Sequence, residues 1–320
     1  MIEGNPRGTR LDILYRGPLA SCNYGCAYCP FAKRRDSREA LAADRAAWER
    51  FTGWLAAQRA ESSASLGPPP AGSSGPARHT FGVLVTPWGE ALIRRWYREG
   101  MIALSHLPQI ERVCAQTNLS CDLGWIADAD PGRLALWCTY HPEWVALDAF
   151  LAQCRRLDAA GVAYSVGVVG RREHLEAARA VRRALPTETY VWINAVKAQG
   201  YTGDEIAAWE AIDPLFRLNL PRWPSRGAAC GAGERAITVD GDGTMRRCHF
   251  IAEPIGNLYD PTWRDALLPR ACTNDDCHCH IGYVHLDYLE LDKVYAGGLL
   301  ERVPVPEARR GSGLRLPVVR

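Results

Sequence analysis

The sequence has few of the features that mark a membrane, secreted or nucleic-acid-binding protein. No apolar run approaches the length needed to cross a bilayer, and residues 1–10 lack the apolar stretch of a secretory signal. The net charge is only +2, and the arginines are scattered among acids instead of forming a basic block. These absences predict a cytoplasmic protein whose partners are small molecules or peptides, with no membrane and no nucleic acid.

Cysteine, in contrast, is abundant. The chain has 12 cysteines, and in a reducing compartment such a number favours metal ligation over disulfides. Two groups lie in loop-like segments near opposite ends of the chain. The remaining cysteines have no mutual ligand spacing and are expected to be buried structural residues: Cys114, Cys121, Cys138 and Cys154.

The middle of the chain alternates strand-like and helix-like segments, which predicts six parallel βα units. The strand candidates are Leu11–Arg16, Phe81–Thr86, Arg112–Thr117, Leu134–Tyr140, Ala163–Val169 and Tyr190–Asn194. The helix candidates are Arg38–Arg59, Glu90–Arg98, Asp122–Ala127, Glu143–Ala159, Arg172–Leu185 and Gly203–Ile212. Such units form an open doubly wound sheet or a curved barrel, and in both the chemistry lies at the carboxyl ends of the strands.

The pattern changes after the sixth unit. Asp240-Gly241-Asp242-Gly243 predicts a tight turn between strands at Ala236–Val239 and Thr244–Arg247. We therefore place a domain boundary near Pro224. The predicted organisation is a barrel over 1–222 with a flexible insertion at 60–78, a cysteine-rich α+β domain over 223–290, and an extension over 291–320 that is loosely held from about Val303.

The first cysteine group, Cys22, Cys26 and Cys29, follows the first predicted strand directly. A C-x3-C-x2-C loop can hold three irons of a [4Fe–4S] cluster and leave the fourth iron without a protein ligand. The alternative is a structural zinc site completed by a distant fourth ligand. The predicted position at the carboxyl end of a strand favours the cluster.

This loop resembles the C-x3-C-x-aromatic-C signature of the radical S-adenosylmethionine superfamily, with Tyr28 at the aromatic position. The resemblance implies a partial (β/α)6 barrel in which S-adenosylmethionine chelates the open iron. It also implies reductive cleavage to a 5′-deoxyadenosyl radical that abstracts hydrogen from a substrate, with flavodoxin or ferredoxin as the electron donor. Cys22, Cys26 and Cys29 would then be the catalytic ligands.

Further segments resemble cofactor-binding elements of that superfamily. Thr86-Pro87-Trp88-Gly89-Glu90 is similar to its Gly-Gly-Glu motif, which implies that Glu90 binds the amino group of S-adenosylmethionine. Val166–Glu173 is similar to its G-x-I-x-G-x-x-E element, with Val166 at the first glycine. Additional candidates for cofactor contact at the strand ends are Gly89, Thr117, Asn118, Val168, Gly170 and Asn194, and His141 is a candidate for substrate contact or a structural role.

The second cysteine group resembles the SPASM and Twitch auxiliary-cluster domains, although only the hairpin half matches well. Its five members are Cys230, Cys248, Cys272, Cys277 and Cys279. Five thiolates suffice for one auxiliary [4Fe–4S] cluster, and Cys230, Cys248, Cys272 and Cys277 form the favoured set, in which Cys279 can replace either of its neighbours. A mixed zinc site that includes His249, His278 or His280 is the alternative.

The substrate and the net reaction stay open. The resemblance makes a peptide or a natural-product intermediate plausible as the substrate. Two non-enzymatic functions compete with this interpretation: a zinc-stabilised binding protein, and an iron–sulfur protein that carries electrons or senses redox state.

Overall fold

A computed structural model of the chain describes residues 10–29, 31, 34–58 and 80–309. Parallel strands and helices alternate over its first two thirds. The strands are β1 (Leu11–Arg16), β2 (Phe81–Val85), β3 (Ile110–Thr117), β4 (Leu134–Tyr140), β5 (Ala163–Val169), β6 (Val191–Asn194), β7 (Trp223–Pro224), β8 (Ala236–Asp240), β9 (Thr244–Arg246), β10 (Pro254–Asn257) and β11 (Asp276–Cys277). The helices are α1 (Arg38–Ala57), α2 (Arg95–Ser105), α3 (Leu147–Ala160), α4 (Leu175–Ala184), α5 (Gly203–Glu210), α6 (His280–Tyr283), α7 (Leu291–Tyr295) and α8 (Pro306–Arg309).

One sheet of nine strands, in the order β10-β9-β8-β1-β2-β3-β4-β5-β6, organises the fold. Strands β1 to β6 pair in parallel in sequence order, as βα units require. On the other side of β1, β8 also pairs in parallel and begins a hairpin with β9. The α/β class is confirmed. The hairpin belongs to the same sheet as the βα units, and the boundary near Pro224 stays a prediction.

The two faces of the sheet are buried in different ways. On the outer face, alternate strand residues such as Ile13 and Tyr15 pack against helix residues that include Trp48 and Phe51. On the inner face, Leu84, Trp137 and Trp192 pack against residues from the last part of the chain. These covering residues are Tyr283, Val284, Leu286, Leu289, Leu291, Val294, Tyr295, Leu299 and Leu300.

Residues 299–302, which we call the inner segment, lie inside the curve of the sheet. The Ser165 hydroxyl donates to the Glu301 carbonyl at 2.6 Å, and Arg302 donates to Asn219 at 3.0 Å. Ala308 in α8 is fully buried. The prediction of a loosely held tail from Val303 is therefore wrong for residues 303–309, because an apolar sheet face needs a cover and this region supplies it. Residues 310–320 and the predicted insertion at 60–78 lie outside the described residues.

The predicted strands agree with the structure to within two residues, but four predicted helices do not. Two begin late, α3 at Leu147 instead of Glu143 and α4 at Leu175 instead of Arg172, and two differ more. The segment Glu90–Arg98 is wrong as a helix: α2 begins only at Arg95, because residues 91–94 form a turn that buries Glu90. The segment Asp122–Ala127 contains a short 3-10 turn at Gly124–Asp128, which the Asp122 carboxylate starts by accepting the Gly124 N–H. Within the described ranges, no helix combines the length and apolar character needed to cross a bilayer.

Candidate functional site

The loop after β1 is held by two carboxylates near the start of α1. Asp36 accepts the backbone N–H groups of Ala20 and Ser21 at 2.9 and 2.8 Å. The buried Asp44 accepts the Leu19 N–H at 3.0 Å. This loop carries the first cysteine group, so the position of the thiols is fixed by the helix that follows them.

The three thiols of the first group lie at the carboxyl edge of β1. Cys26 is buried, Cys29 is half-buried and Cys22 is exposed. Burial raises the pKa of the Cys22 thiol, and the charges of Glu90, Cys26 and Cys29 raise it further. Because three neighbouring thiolates repel one another, a bound cation would be needed to stabilise all of them in the ionised form.

A single zinc ion and a [4Fe–4S] cluster need different arrangements of thiolates. Among the described residues, no group of three or more Cys, His, Asp and Glu side chains is placed to hold one ion. A tetrahedral zinc ion with bonds of about 2.3 Å would bring its sulfurs to roughly 3.8 Å from one another. Thiolates of a [4Fe–4S] cluster bind different irons and stand further apart. Cysteine thiolates are the usual ligands of a [4Fe–4S] cluster, so three thiols on one loop fit such a cluster.

Tyr28 and His141 form the wall behind Cys26. The Nδ1 atom of His141 lies 3.5 Å from the Cys26 sulfur and 3.0 Å from the Tyr28 hydroxyl oxygen. The Tyr28 ring stacks on His141 and meets His174 edge to face. Burial lowers the pKa of His141 to about 4, so the ring is neutral at pH 7.

Gly89 brings the loop after β2 into contact with the loop after β1. The Gly89 N–H donates to the Leu19 carbonyl at 3.0 Å, and the Glu90 N–H donates to the Ser21 carbonyl at 3.1 Å. A Cβ atom on Gly89 would lie 2.1 Å from the Ser21 carbonyl oxygen. Only glycine permits this approach.

Glu90, Thr117 and Asn118 form one buried hydrogen-bonded group. The Glu90 carboxylate accepts the Thr117 hydroxyl at 2.7 Å, the Asn118 N–H at 2.7 Å and the Leu92 N–H at 3.1 Å. Burial raises its pKa despite these three bonds. The Asn118 side-chain amide lies 3.8 Å from the Cys22 sulfur. The structure thus brings together three of the residues proposed for cofactor contact and the cysteine loop.

The candidates for cofactor contact on β5 and β6 differ in which of their atoms could reach a ligand. Gly170 N–H donates to the Asn194 carbonyl at 2.8 Å, so the ends of β5 and β6 lie side by side, and the Asn194 side chain is exposed. Val168 is fully buried in the outer core, on the helix side of the sheet. Its side chain therefore cannot contact a ligand in the barrel, and only its backbone is available for the predicted role.

All five cysteines of the second group come together around Cys277. Burial raises the pKa of the Cys277 thiol, and the charges of Cys248, Cys279, Cys272 and Cys230 raise it further. Burial also raises the pKa of Cys248 to about 11, with added repulsion from Cys230 and Cys272. Close packing continues at Gly282, where a Cβ atom would lie 2.7 Å from the Cys277 sulfur.

Cys279 is in a different electrostatic environment. Burial raises its pKa, whereas the positive charges of Arg302, Arg16 and Lys197 lower it. These cations belong to the barrel interior, so Cys279 faces that interior as well as its neighbour Cys277.

The histidines considered for a mixed zinc site have different surroundings. His280 is buried between the rings of Trp137 and Tyr295, at centroid distances of 5.4 and 5.1 Å, and neither of its ring nitrogens has a hydrogen-bond partner among the described residues. His278 contacts Asp276 at 3.1 Å, and His249 packs against Trp88. The mixed zinc site therefore stays an alternative for the second group.

No protein-family model matches the chain, and no curated protein matches it. Several solved structures are similar to it. One, described as native anSMEcpe with bound AdoMet, is 12% identical over 80% of this chain and 80% of that chain, with a TM-score of 0.49. Another is Streptococcus suis SuiB bound to S-adenosylmethionine, 13% identical over 81% of this chain and 65% of that chain, with a TM-score of 0.48. A third is BtrN in complex with AdoMet and 2-DOIA, 14% identical over 80% of this chain and 86% of that chain, with a TM-score of 0.38.

Because these identities and TM-scores are low, the function proposed below depends on the residues of the site itself. Sequence reasoning missed three of those residues: Arg16, Lys197 and Arg302, the cations around Cys279. For Arg16 a signal was present in the alternation of β1, which places residues 12, 14 and 16 on one face. Nothing in the sequence indicated that Arg302 enters the barrel.

Proposed function

We propose that the chain is a radical S-adenosylmethionine enzyme whose first cysteine group holds a [4Fe–4S] cluster. The observation that carries this proposal is the placement of Cys22, Cys26 and Cys29 on one loop at the carboxyl end of β1, beside the buried Glu90. When bound, such a cluster supplies the electron that splits S-adenosylmethionine into methionine and a 5′-deoxyadenosyl radical.

The chain's own residues would orient the cofactor. A carboxylate can accept about four hydrogen bonds, and Glu90 accepts three from the protein. One acceptor position therefore remains for the amino group of S-adenosylmethionine. The neighbouring Gly170 and Asn194 at the ends of β5 and β6 would contact its adenosyl part, and Tyr28 would cover the loop from the other side.

The second group would hold an auxiliary [4Fe–4S] cluster through Cys230, Cys248, Cys272 and Cys277. These four thiols act on one another electrostatically, and Cys279, which also acts on Cys277, is the alternative fourth ligand. A protein reductant such as flavodoxin or ferredoxin would supply electrons, and the substrate would be a peptide or a small molecule.

The test is formation of 5′-deoxyadenosine. Anaerobically purified protein incubated with dithionite and S-adenosylmethionine should produce it, and the Cys26→Ala variant should not, because the cluster would lose one of its three thiolates. Cys154→Ala is the matched control, since Cys154 is a buried thiol on α3 with no part in either group. Mass spectrometry of the nucleoside product provides the measurement.

Metal analysis separates the alternatives. The wild type should contain about eight irons and as many sulfides, and Cys248→Ala about half of that number. Zinc in place of iron would contradict the proposal. Iron without any deoxyadenosine would instead favour an electron carrier.

A further inference from the structure

Arg16, the last residue of β1, points into the interior of the barrel. Asp12 and Leu14 line a cavity of about 40 Å³ on the inner face of the sheet, whereas Ile13 and Tyr15 pack in the outer core. Side chains alternate along a strand, so Arg16 continues the inward-facing row at its carboxyl end. Only 6% of its surface is exposed.

The guanidinium of Arg16 is a buried cation, and no carboxylate among the described residues forms an ion pair with it. Its Nε and Nη1 atoms are buried and have no hydrogen-bond partner among the described residues. Burial lowers its pKa to about 10, and the Cys279 thiol, when ionised, opposes this shift. Arg16 thus stays protonated at pH 7 with unsatisfied donors, which is costly unless an anion binds there.

Aromatic side chains cover this cation. The Trp88 ring centroid lies 4.9 Å from its guanidinium carbon, and that of Phe31 lies 5.8 Å away. Phe31 follows the first cysteine group, and Trp88 precedes Gly89 and Glu90 in the loop after β2. Trp88 is 40% exposed, so movement of one partly exposed side chain would open the site to solvent.

We propose that Arg16 binds a carboxylate of the substrate, an inference that rests on the proposed radical chemistry and names the class of molecule on which it acts. A planar guanidinium matches a carboxylate through two parallel hydrogen bonds, and Trp88 and Phe31 would contact the adjoining part of the substrate. One unpaired guanidinium balances one negative charge. The other two cations near Cys279 are already used: Lys197 donates to the carbonyls of Asn219 and Pro221, and Arg302 donates to the Asn219 side chain and lies over the ring of Trp192. The site therefore suits a carboxylate better than a phosphate dianion.

The position of Arg16 places the proposed anion site next to the loops that would carry out the proposed radical chemistry. Arg16 lies beneath the two loops that carry the first cysteine group and Glu90, and within electrostatic range of Cys279. A substrate anchored there by its carboxylate would present its neighbouring C–H bonds to the space between these loops.

The test compares benzoate with benzamide, a matched charged and neutral pair, by calorimetry on the full-length protein with its clusters. The wild type should bind benzoate about tenfold more tightly than benzamide, and Arg16→Gln should remove the preference. Arg222→Gln is the control: Arg222 is an exposed arginine paired with Asp276, and the preference should persist in that variant. N-acetylphenylalanine and a pentapeptide ending in phenylalanine then distinguish a small-molecule carboxylate from a peptide terminus.

Folding is checked separately with Arg16→Met. Because removal of an unpaired buried charge relieves a cost, neither Arg16 variant should melt below the wild type. A lower melting temperature in both variants would overturn the inference, since Arg16 would then have a structural partner. So would equal binding of benzoate and benzamide by the wild type, tenfold tighter binding of phenyl phosphate than benzoate, or loss of S-adenosylmethionine binding in Arg16→Gln.

The test of the carboxylate site and the test of the radical chemistry have separate readouts. Binding of benzoate needs no turnover, so Arg16-dependent binding without 5′-deoxyadenosine would refute only the radical chemistry. Deoxyadenosine formation without a preference for benzoate would refute only the carboxylate site.

Discussion

At the scale of single residues, the close contact between Gly89 and the cysteine loop predicts how a side chain at position 89 would change the stability of the fold. An added methyl group at Gly89 would meet the Ser21 carbonyl, which is backbone and cannot rotate away. Gly89→Ala should therefore lower the free energy of unfolding by about 1–3 kcal/mol. Urea denaturation monitored by circular dichroism provides the measurement.

Gly53→Ala is the matched control. Gly53 lies inside α1, and a Cβ atom there would meet nothing within 4 Å. This substitution should raise the free energy of unfolding by about 0.5–1 kcal/mol, because alanine loses less backbone entropy in a helix. If both variants were equally stable, the close approach at Gly89 would have no energetic consequence.

Several site residues follow from the sequence because they come directly after strands. Glu90, Thr117 and Asn118 lie at adjacent strand ends, and they form one hydrogen-bonded group. Arg16 could not be recognised as a site from its strand position alone. Its lack of a partner depends on which side chains from distant loops reach the same end of the barrel.

At the scale of elements, α1 holds the cysteine loop through Asp36. Burial acts to raise the Asp36 pKa, but the N–H groups of Ala20 and Ser21 lower it below its usual range. In Asp36→Ala we expect amide hydrogen exchange at Ala20 and Ser21 to be at least about tenfold faster, because both donors lose their acceptor. Exchange measured by mass spectrometry or NMR tests this.

The hydrogen bonds from Ala20 and Ser21 to Asp36 also predict how the protection of these amides depends on pH. A carboxylate whose folded pKa is depressed contributes stability above its unfolded pKa of about 3.9, and this stability is lost as the pH falls through the folded value. Protection of the two amides should thus persist from pH 7 to pH 4 and decline below it. Asp122→Ala removes a carboxylate that accepts the Gly124 N–H instead, so it should leave the Ala20 and Ser21 amides protected. Faster exchange of these two amides in Asp122→Ala would contradict the role of Asp36.

Strands were easier to predict than helices in this chain. Buried runs such as Leu134–Tyr140 are bounded by polar residues, and their limits agree with the structure. The start of α2 was misplaced because Glu90 resembles a residue at a helix N-terminus, whereas its carboxylate is used in a buried contact between strands. Such a tertiary contact is invisible to local patterns.

At the scale of the whole molecule, the parallel pairing of β8 with β1 joins the predicted barrel and the cysteine-rich region in one sheet. Unfolding of the two regions should therefore be cooperative, with coincident transitions for the far-ultraviolet circular dichroism and the tryptophan fluorescence of the full chain. Two separated transitions in urea would show that the regions are independent domains.

The strands and helices of the barrel could be predicted from the sequence, but the residues that cover its inner face could not. Parallel βα units follow from periodicity, whereas the covering of the inner face depends on contacts between residues far apart in the chain, such as Ser165 with Glu301. Pro, Arg and Gly near the end of the sequence favoured an exposed tail. Ala308, which lies in the predicted tail and is fully buried, shows that composition alone does not determine exposure.

The inner segment also bears on how the protein is made. Trp137 and Trp192 leave the ribosome more than a hundred residues before Leu300, which helps to cover the inner face to which they belong. A nascent chain would display these aromatic rings until the inner segment has been synthesised. We expect chaperones that bind apolar segments to engage this protein during synthesis, since early collapse of the sheet would leave no room for the inner segment.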